Sequence, residues 1–196
     1  MFEHDQNASM IPNDFDAFSE GIEPGGLRSK DDIKVLICYL LKTVEIPITR
    51  EQIGNVMQDR AIANYFEAMD AVSELLISGN ISNHYEADKE FLTITDFGRN
   101  AVELIEKDLP KTVREKAVES ALRLITLERN ARENEVKITP QSDGYTISFT
   151  MKEKSTVLME LHMFVPDSGQ AQKLKENFIE DPARVYSTIL ASLMID

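Results

Sequence analysis

The spacing of apolar residues predicts a helical first half and a mixed second half. Apolar positions that recur every three or four residues are typical of amphipathic helices, whereas strict alternation with polar positions is typical of half-buried strands. The first pattern predicts helices at 29–41, 49–59, 61–78, 95–105, 111–133, 168–178 and 182–194. The second predicts strands at 81–86, 90–94, 136–139, 145–151 and 156–165. Most of the apolar residues of the helices at 61–78 and 95–105 are expected on buried faces, Phe66, Leu104 and Ile105 among them.

The stretch 60–97 organises the first half of the chain. Its helix stops at Gly79, a residue type that readily adopts the left-handed conformation of a helix end, and a hairpin with a turn at 87–89 follows. Thr49 and Gln52 form a capping box that opens a shorter helix before it. Helix, turn, helix and a two-stranded wing make up the winged-helix arrangement, whose second helix normally enters a DNA groove.

We therefore predict an α+β fold in four parts. Residues 1–26 form an acidic N-terminal tail, interpreted either as a flexible leader or as an arm whose phenylalanines dock on a partner subunit. Residues 27–108 form an N-terminal winged helix-turn-helix domain, and residues 109–133 a long connecting helix. Residues 134–196 form a small α+β domain, in which two helices cover a C-terminal three-stranded antiparallel sheet.

The distribution of charge changes this picture. The chain carries 21 basic and 34 acidic residues, a formal charge of −13. Residues 1–26 contribute −6 (0 basic, 6 acidic), residues 27–108 −6 (9 basic, 15 acidic) and residues 109–196 −1 (12 basic, 13 acidic). Nucleic-acid binders usually have a basic patch, and the predicted DNA-binding region is acidic in sum. The helix 111–133 is the most basic segment, interpreted either as a salt-bridged connector or as the place where DNA phosphate or an acidic partner is met.

Four side chains near the helix starts and the wing are candidates for DNA contact: Arg50, Arg60, Asn64 and Lys89. The acids of the second helix, Glu67, Asp70 and Glu74, follow an i, i+3, i+7 spacing and project to the same side. The tip of the wing holds three acids and one lysine, so phosphates would repel it. Glu67, Asp70 and Glu74 define the alternative site, a face for a basic protein partner.

The sequence contains no catalytic constellation. A Gly-rich phosphate loop, a nucleophile elbow and an H-E-x-x-H motif are all absent. His4, His84 and His162 lie far apart, without metal-ligand spacing. Glu160 and His162 share one strand face and are interpreted either as a ligand contact or as a pair that is exposed to solvent. We expect a protein that is not an enzyme and that has no metal and no cofactor.

The cellular compartment is predicted from what the sequence lacks. No apolar run reaches the roughly 18 residues of a membrane span, and no basic and apolar leader opens the chain. Cys38 is the single cysteine, which excludes an internal disulfide and fits a reducing compartment. We therefore expect a cytoplasmic protein with no membrane contact.

Two runs carry a resemblance to known proteins. The runs AVSELLISGNI at 71–81 and FLTITDFG at 91–98 resemble the helix end, wing start and wing exit of winged-helix bacterial transcription regulators of the MarR and PadR-like groups. With GGLRSKD at 25–31, the chain also looks like an uncharacterised family of unknown function from Gram-positive anaerobes. The winged-helix resemblance covers about residues 27–108 and implies a cytoplasmic regulator-like protein without an assigned ligand or operator.

Two functions follow as expectations. The first is a DNA-binding transcriptional regulator that binds double-stranded DNA as a homodimer on a palindromic site, with the long helix in the dimer interface. The alternative is a winged-helix protein-interaction module that does not bind DNA. Its acidic face would bind a basic partner, and the C-terminal sheet would be an assembly or ligand-sensing domain.

Overall fold

A computed structural model describes residues 26–27 and 29–194 of the chain. In this part the protein is α+β, with seven α-helices and two three-stranded antiparallel sheets. The predictions for the N-terminal tail, except for its last residue, lie outside the described residues. The chain divides into two units, one ending at Ala117 and the other beginning at Val118, so their boundary falls inside the helix predicted at 111–133.

The first unit alternates helices with the strands of one sheet. Its elements are α1 (Lys30–Val44), β1 (Ile48–Thr49), α2 (Arg50–Asp59), α3 (Tyr65–Ile77), β2 (Ile81–Glu86), β3 (Lys89–Ile94) and α4 (Asp96–Ile105), followed by a 3-10 turn (Glu106–Asp108). The strands lie in the order β1-β3-β2. The largest fully buried side chains of this unit form its core: Ile33, Leu36, Ile37, Leu40, Ile48, Ile53, Val56, Met57, Val72, Ile81 and Leu92.

Side-chain caps set the starts of α2 and α3. The capping box is confirmed, because Thr49 Oγ1 accepts from the Gln52 amide at 3.1 Å and Gln52 Oε1 accepts from the Thr49 amide at 2.8 Å. The predicted start of the next helix at 61 is wrong. Ala61 has a left-handed φ of 47°, and Asn64 caps a helix that begins at Tyr65.

The hairpin between β2 and β3 closes with two residues instead of the predicted three. Ala87 and Asp88 have φ of 47° and 64°, and Glu86 pairs directly with Lys89. Two central residues with positive φ are the mark of a type I′ turn, whose twist matches that of the strands. Lys89 therefore belongs to β3.

Gly98 lets the start of α4 approach the segment between α3 and β2. A Cβ atom on Gly98 would lie 2.0 Å from the Asn80 carbonyl oxygen, far inside van der Waals contact. Thr95 Oγ1 donates to the Gly79 carbonyl at 2.8 Å and accepts from the Gly98 amide at 3.1 Å. The T-x-x-G run after the hairpin therefore fixes the start of α4 against the segment that leads into the hairpin.

The second unit is a sheet covered by helices. Its elements are most of α5 (Lys111–Glu133), then β4 (Glu135–Pro140), β5 (Tyr145–Glu153), β6 (Thr156–Val165), α6 (Ser168–Glu180) and α7 (Pro182–Leu193). The strands lie in sequence order, as predicted. Its core consists of five buried residues, Ile147, Phe149, Val165, Ala171 and Phe178. Asn130 Nδ2 donates to the Ile179 carbonyl at 2.9 Å and so fastens α5 to the end of α6.

Candidate functional site

Arg50, a predicted DNA contact, is held inside the fold. Its Nε donates to Glu90 Oε2 at 2.7 Å, and its Nη1 donates to Ser73 Oγ at 3.1 Å and to the Met69 carbonyl at 3.4 Å. Asn83 Nδ2 donates to the same Glu90 carboxylate at 2.7 Å. The Arg50 guanidinium holds the pKa of Glu90 below its usual value. Arg50 thus joins α2, α3 and β3, and it would have to give up these bonds to reach a phosphate.

Arg60 and Asn64 also serve the local structure. Arg60 Nε lies 3.4 Å from Asp59 Oδ2. Asn64 Oδ1 accepts from the amides of Phe66 at 2.8 Å and Glu67 at 3.4 Å. These two bonds satisfy amides that have no partner within the helix, so the oxygen of Asn64 is committed to the cap.

Lys89 is the exposed one of the four predicted DNA contacts. It stands at the tip of the hairpin, directly opposite Glu86 and next to Asp88. Its positive charge is therefore surrounded by negative charge, and the structure does not bring the four candidates together into a basic patch.

Lysines of α1 cover much of the acidic face of α3. Lys30 pairs with Asp70, and its Nζ lies 3.2 Å from Glu74 Oε1. Lys34 Nζ lies 2.9 Å from Glu74 Oε2. Lys34 and then Lys30 lower the pKa of Glu74. Since two of the three predicted acids, Asp70 and Glu74, have these cations close by, the face is less negative than its sequence indicates.

Helix α3 carries an exposed apolar pair that the sequence does not predict. Phe66 is 78% exposed and Ile77 is 87% exposed, so the prediction that Phe66 lies on the buried face is wrong. Phe66, Asp70, Ser73 and Ile77 follow an i, i+4, i+7, i+11 spacing and form one stripe, roughly 16 Å long at 1.5 Å per residue. The sequence offers no signal for this, because neighbouring positions of a helix lie only 100° apart and can both face a core, as Leu36 and Ile37 of α1 do.

Helix α4 exposes a second apolar surface. Leu104 is 85% exposed, Phe97 64% and Ile105 42%, so the prediction that Leu104 and Ile105 are buried is wrong. Beside them lies a groove of about 380 Å³ between α1, the end of α3 and α4. Cys38 lines this groove, and burial raises the pKa of its thiol to about 12, which keeps it protonated and unreactive at neutral pH.

The histidines show no catalytic geometry in the described residues. His84 stacks on Phe91 with ring centroids 5.5 Å apart. His162 Nδ1 lies 2.8 Å from Ser148 Oγ on the open face of the second sheet, and His4 lies outside the described residues. Nowhere in 26–27 and 29–194 do three His, Cys, Asp or Glu side chains come together as a metal site. None of the described helices combines the length and apolar character of a transmembrane span.

Comparison with known proteins identifies the family. The family model for a domain of unknown function, DUF4364, matches residues 33–193. The chain belongs to the DUF4364 family. No curated protein matches the chain, and no solved structure matches it either. The DUF4364 match spans α1 to α7 and therefore includes the α3 stripe, the hairpin and both sheets.

Proposed function

We propose that the first unit of this DUF4364 chain is a winged-helix module that binds a basic protein partner through α3. The element order helix, strand, helix, helix and hairpin, with β1 added beside β3, supports the winged-helix arrangement. In that arrangement α3 holds the position of the recognition helix. The chemistry of α3 therefore decides what the module recognises.

The observation that carries the proposal is the composition of the exposed face of α3. The helix contains no lysine or arginine and three carboxylates, Glu67, Asp70 and Glu74. It also exposes Phe66 and Ile77 almost fully. A helix that enters a DNA groove gains affinity from cations that displace counterions, and α3 offers none. Large exposed apolar side chains, in contrast, are typical anchors of protein interfaces.

The energetics favour an apolar contact with an acidic rim. Burial of each of the two exposed side chains would contribute about 1.5–3 kcal/mol from the hydrophobic effect. Asp70 stands between them and is half exposed, with 55% of its side chain accessible although Lys30 pairs with it. The partner that fits is a protein surface with apolar side chains flanked by lysine or arginine, because residues 27–108 carry a net charge of −6.

The test compares capture of partners by three full-length baits: the wild type, Phe66→Ser/Ile77→Ser and Leu193→Ser. Leu193 lies in the second unit and is also 78% exposed, so its variant controls for general loss of surface hydrophobicity. We expect a basic protein that the wild type and the control retain and that the α3 variant loses. Titration with that purified protein should show an affinity loss of about tenfold or more for the α3 variant.

Three results would overturn the proposal. One is equal retention of every captured protein by all three baits. Another is a homodimer, seen by light scattering, that only the α3 variant loses, since the partner would then be a second copy of the chain. The third is binding of random duplex DNA at about 50 mM salt that weakens by orders of magnitude at about 200 mM. Loss of that binding on Lys89→Glu would identify the DNA-binding regulator instead.

A further inference from the structure

The second unit contains a large polar cavity where α5 joins β4. Its volume is about 920 Å³, within the range of small-molecule sites. The cavity is surrounded by the end of α5, the start of β4, the end of β5 with the turn that follows it, and α6. All of these residues lie in the second unit, so the cavity is independent of the α3 surface and of the proposed protein partner.

Four cations line this cavity: Arg132, Lys152, Lys154 and Lys175. None of the four forms a salt bridge or a side-chain hydrogen bond with any residue of the described part of the chain. They come from three separate segments: α5, the end of β5 with the turn that follows it, and α6. Their mutual repulsion costs free energy unless an anion lies between them. Four unpaired cations around one opening are unusual in a chain with a charge of −13.

The acids of the cavity do not cancel this charge. Glu133, Glu135 and Glu153 also line it. Glu135 is already engaged, since its Oε1 lies 2.7 Å from the Nζ of Lys137, which does not line the cavity. Lys137, and more weakly Lys152, hold the pKa of Glu135 below its usual value. With the Lys137–Glu135 pair set aside, four cations and two acids, Glu133 and Glu153, line the cavity.

Asn134 supplies a second and independent observation. This residue lines the cavity and is only 9% exposed. Its Nδ2 donates to the Asn130 carbonyl at 2.9 Å, which fixes Oδ1 as the acceptor, but Oδ1 has no hydrogen-bond partner among the described residues. A buried acceptor without a partner costs about 1–3 kcal/mol. Oδ1 is closed off from solvent, so an N–H or O–H group of a ligand would satisfy it once the Asn134 side chain turns towards the cavity.

We propose that this cavity binds a phosphorylated small molecule of about nucleotide size that also carries hydrogen-bond donors. The four cations bind the phosphate groups, and Asn134 Oδ1 accepts a hydrogen bond from an amino or hydroxyl group of the same molecule. A nucleoside diphosphate meets both requirements, since its phosphates are multivalent anions and its base and ribose are donors.

Isothermal titration of the full-length protein with ADP, GDP, UDP and pyrophosphate tests the proposal. We expect at least one nucleoside diphosphate to bind, and to bind more tightly than pyrophosphate, which lacks the nucleoside donors. Lys152→Gln/Lys175→Gln should weaken binding by about tenfold or more. The matched control is Lys173→Gln, two positions away on α6 but outside the cavity, which should leave the affinity within about twofold of the wild type.

Asn134→Ala tests the donor contact. It should bring the affinities for the nucleoside diphosphate and pyrophosphate close together, with circular dichroism confirming that the variant is folded. The proposal is overturned if none of the four probes binds at about 1 mM, or if the double lysine variant binds as tightly as the wild type. It is also overturned if pyrophosphate binds the wild type as tightly as every nucleoside diphosphate does.

Discussion

Arg50 has a different role in the structure from the one that the sequence predicts. In sequence it is a cation at the start of a helix, which is where a DNA contact is expected. In the structure it is bound to Glu90, Ser73 and the Met69 carbonyl. No sequence pattern signals this network, because Arg50 and Glu90 are 40 positions apart and meet only after the hairpin has folded back.

The pair Arg50 and Glu90 should make stability depend on pH. The Arg50 guanidinium lowers the folded-state pKa of Glu90 below its value in the unfolded chain, so the contribution is present above the unfolded pKa and is lost as the pH falls through the folded pKa. Arg50→Gln should destabilise the protein at pH 7 by about 1.5–3 kcal/mol. The difference from the wild type should shrink at about pH 3, as measured by urea unfolding at both values.

Arg184→Gln provides the comparison for this measurement. Arg184 pairs with Asp181 at 3.7 Å, and both side chains are largely exposed, so its removal should cost less than about 1 kcal/mol. If Arg50→Gln cost no more than this, or if its effect were the same at both pH values, the network would not contribute as the geometry indicates.

At the scale of the element, the hairpin turn carries a strain that a substitution can relieve. Ala87 adopts φ of 47°, a conformation that costs an L-residue with a Cβ about 1–2 kcal/mol. Ala87→Gly should therefore stabilise the protein by up to about 1 kcal/mol, even though glycine is more flexible in the unfolded chain. Ala131→Gly, at an exposed position in α5, should destabilise it by about 1 kcal/mol. Thermal unfolding of both variants gives the sign of each change in stability. A loss of stability in Ala87→Gly would contradict the prediction.

Element positions were largely predictable from the sequence, whereas exposure was not. The capping box at Thr49 and Gln52 and the limits of α5 are local signals, and both are confirmed. The faces of α3 and α4 were misjudged at Phe66 and Leu104, because hydrophobic spacing assumes that every apolar residue is covered. The lysines that cover Asp70 and Glu74 come from α1, 40 to 44 positions away, so only the folded chain shows them.

At the scale of the whole molecule, the two units share one helix instead of a linker. The boundary between Ala117 and Val118 lies within α5, and Ala117, Ser120 and Ala121 around it are buried. Helical hydrogen bonds and buried side chains protect a backbone from proteases, which need a locally unfolded segment. This organisation predicts where the chain can be cut.

Trypsin should spare α5 under native conditions although the helix contains six of its target residues. Lys154, in the exposed turn between β5 and β6 with φ of 54°, should be cut first and serves as the internal control. Mass spectrometry of a short time course identifies the cut sites. Early fragments beginning at Ala117 or Leu124 would show that α5 opens at the boundary and that the units are joined by a flexible segment.

Gly98 has a consequence for reading other sequences. Its α-hydrogen faces the Asn80 carbonyl at a distance that no side chain fits, and the hydroxyl three residues earlier closes the same loop. Any chain that builds this junction must therefore place glycine there, whatever its surface has evolved to bind. A threonine and a glycine three positions apart, directly after a hairpin, thus indicate this fold and carry no information about the ligand. Searches for relatives should use the two residues as evidence of a shared fold, not of a shared function.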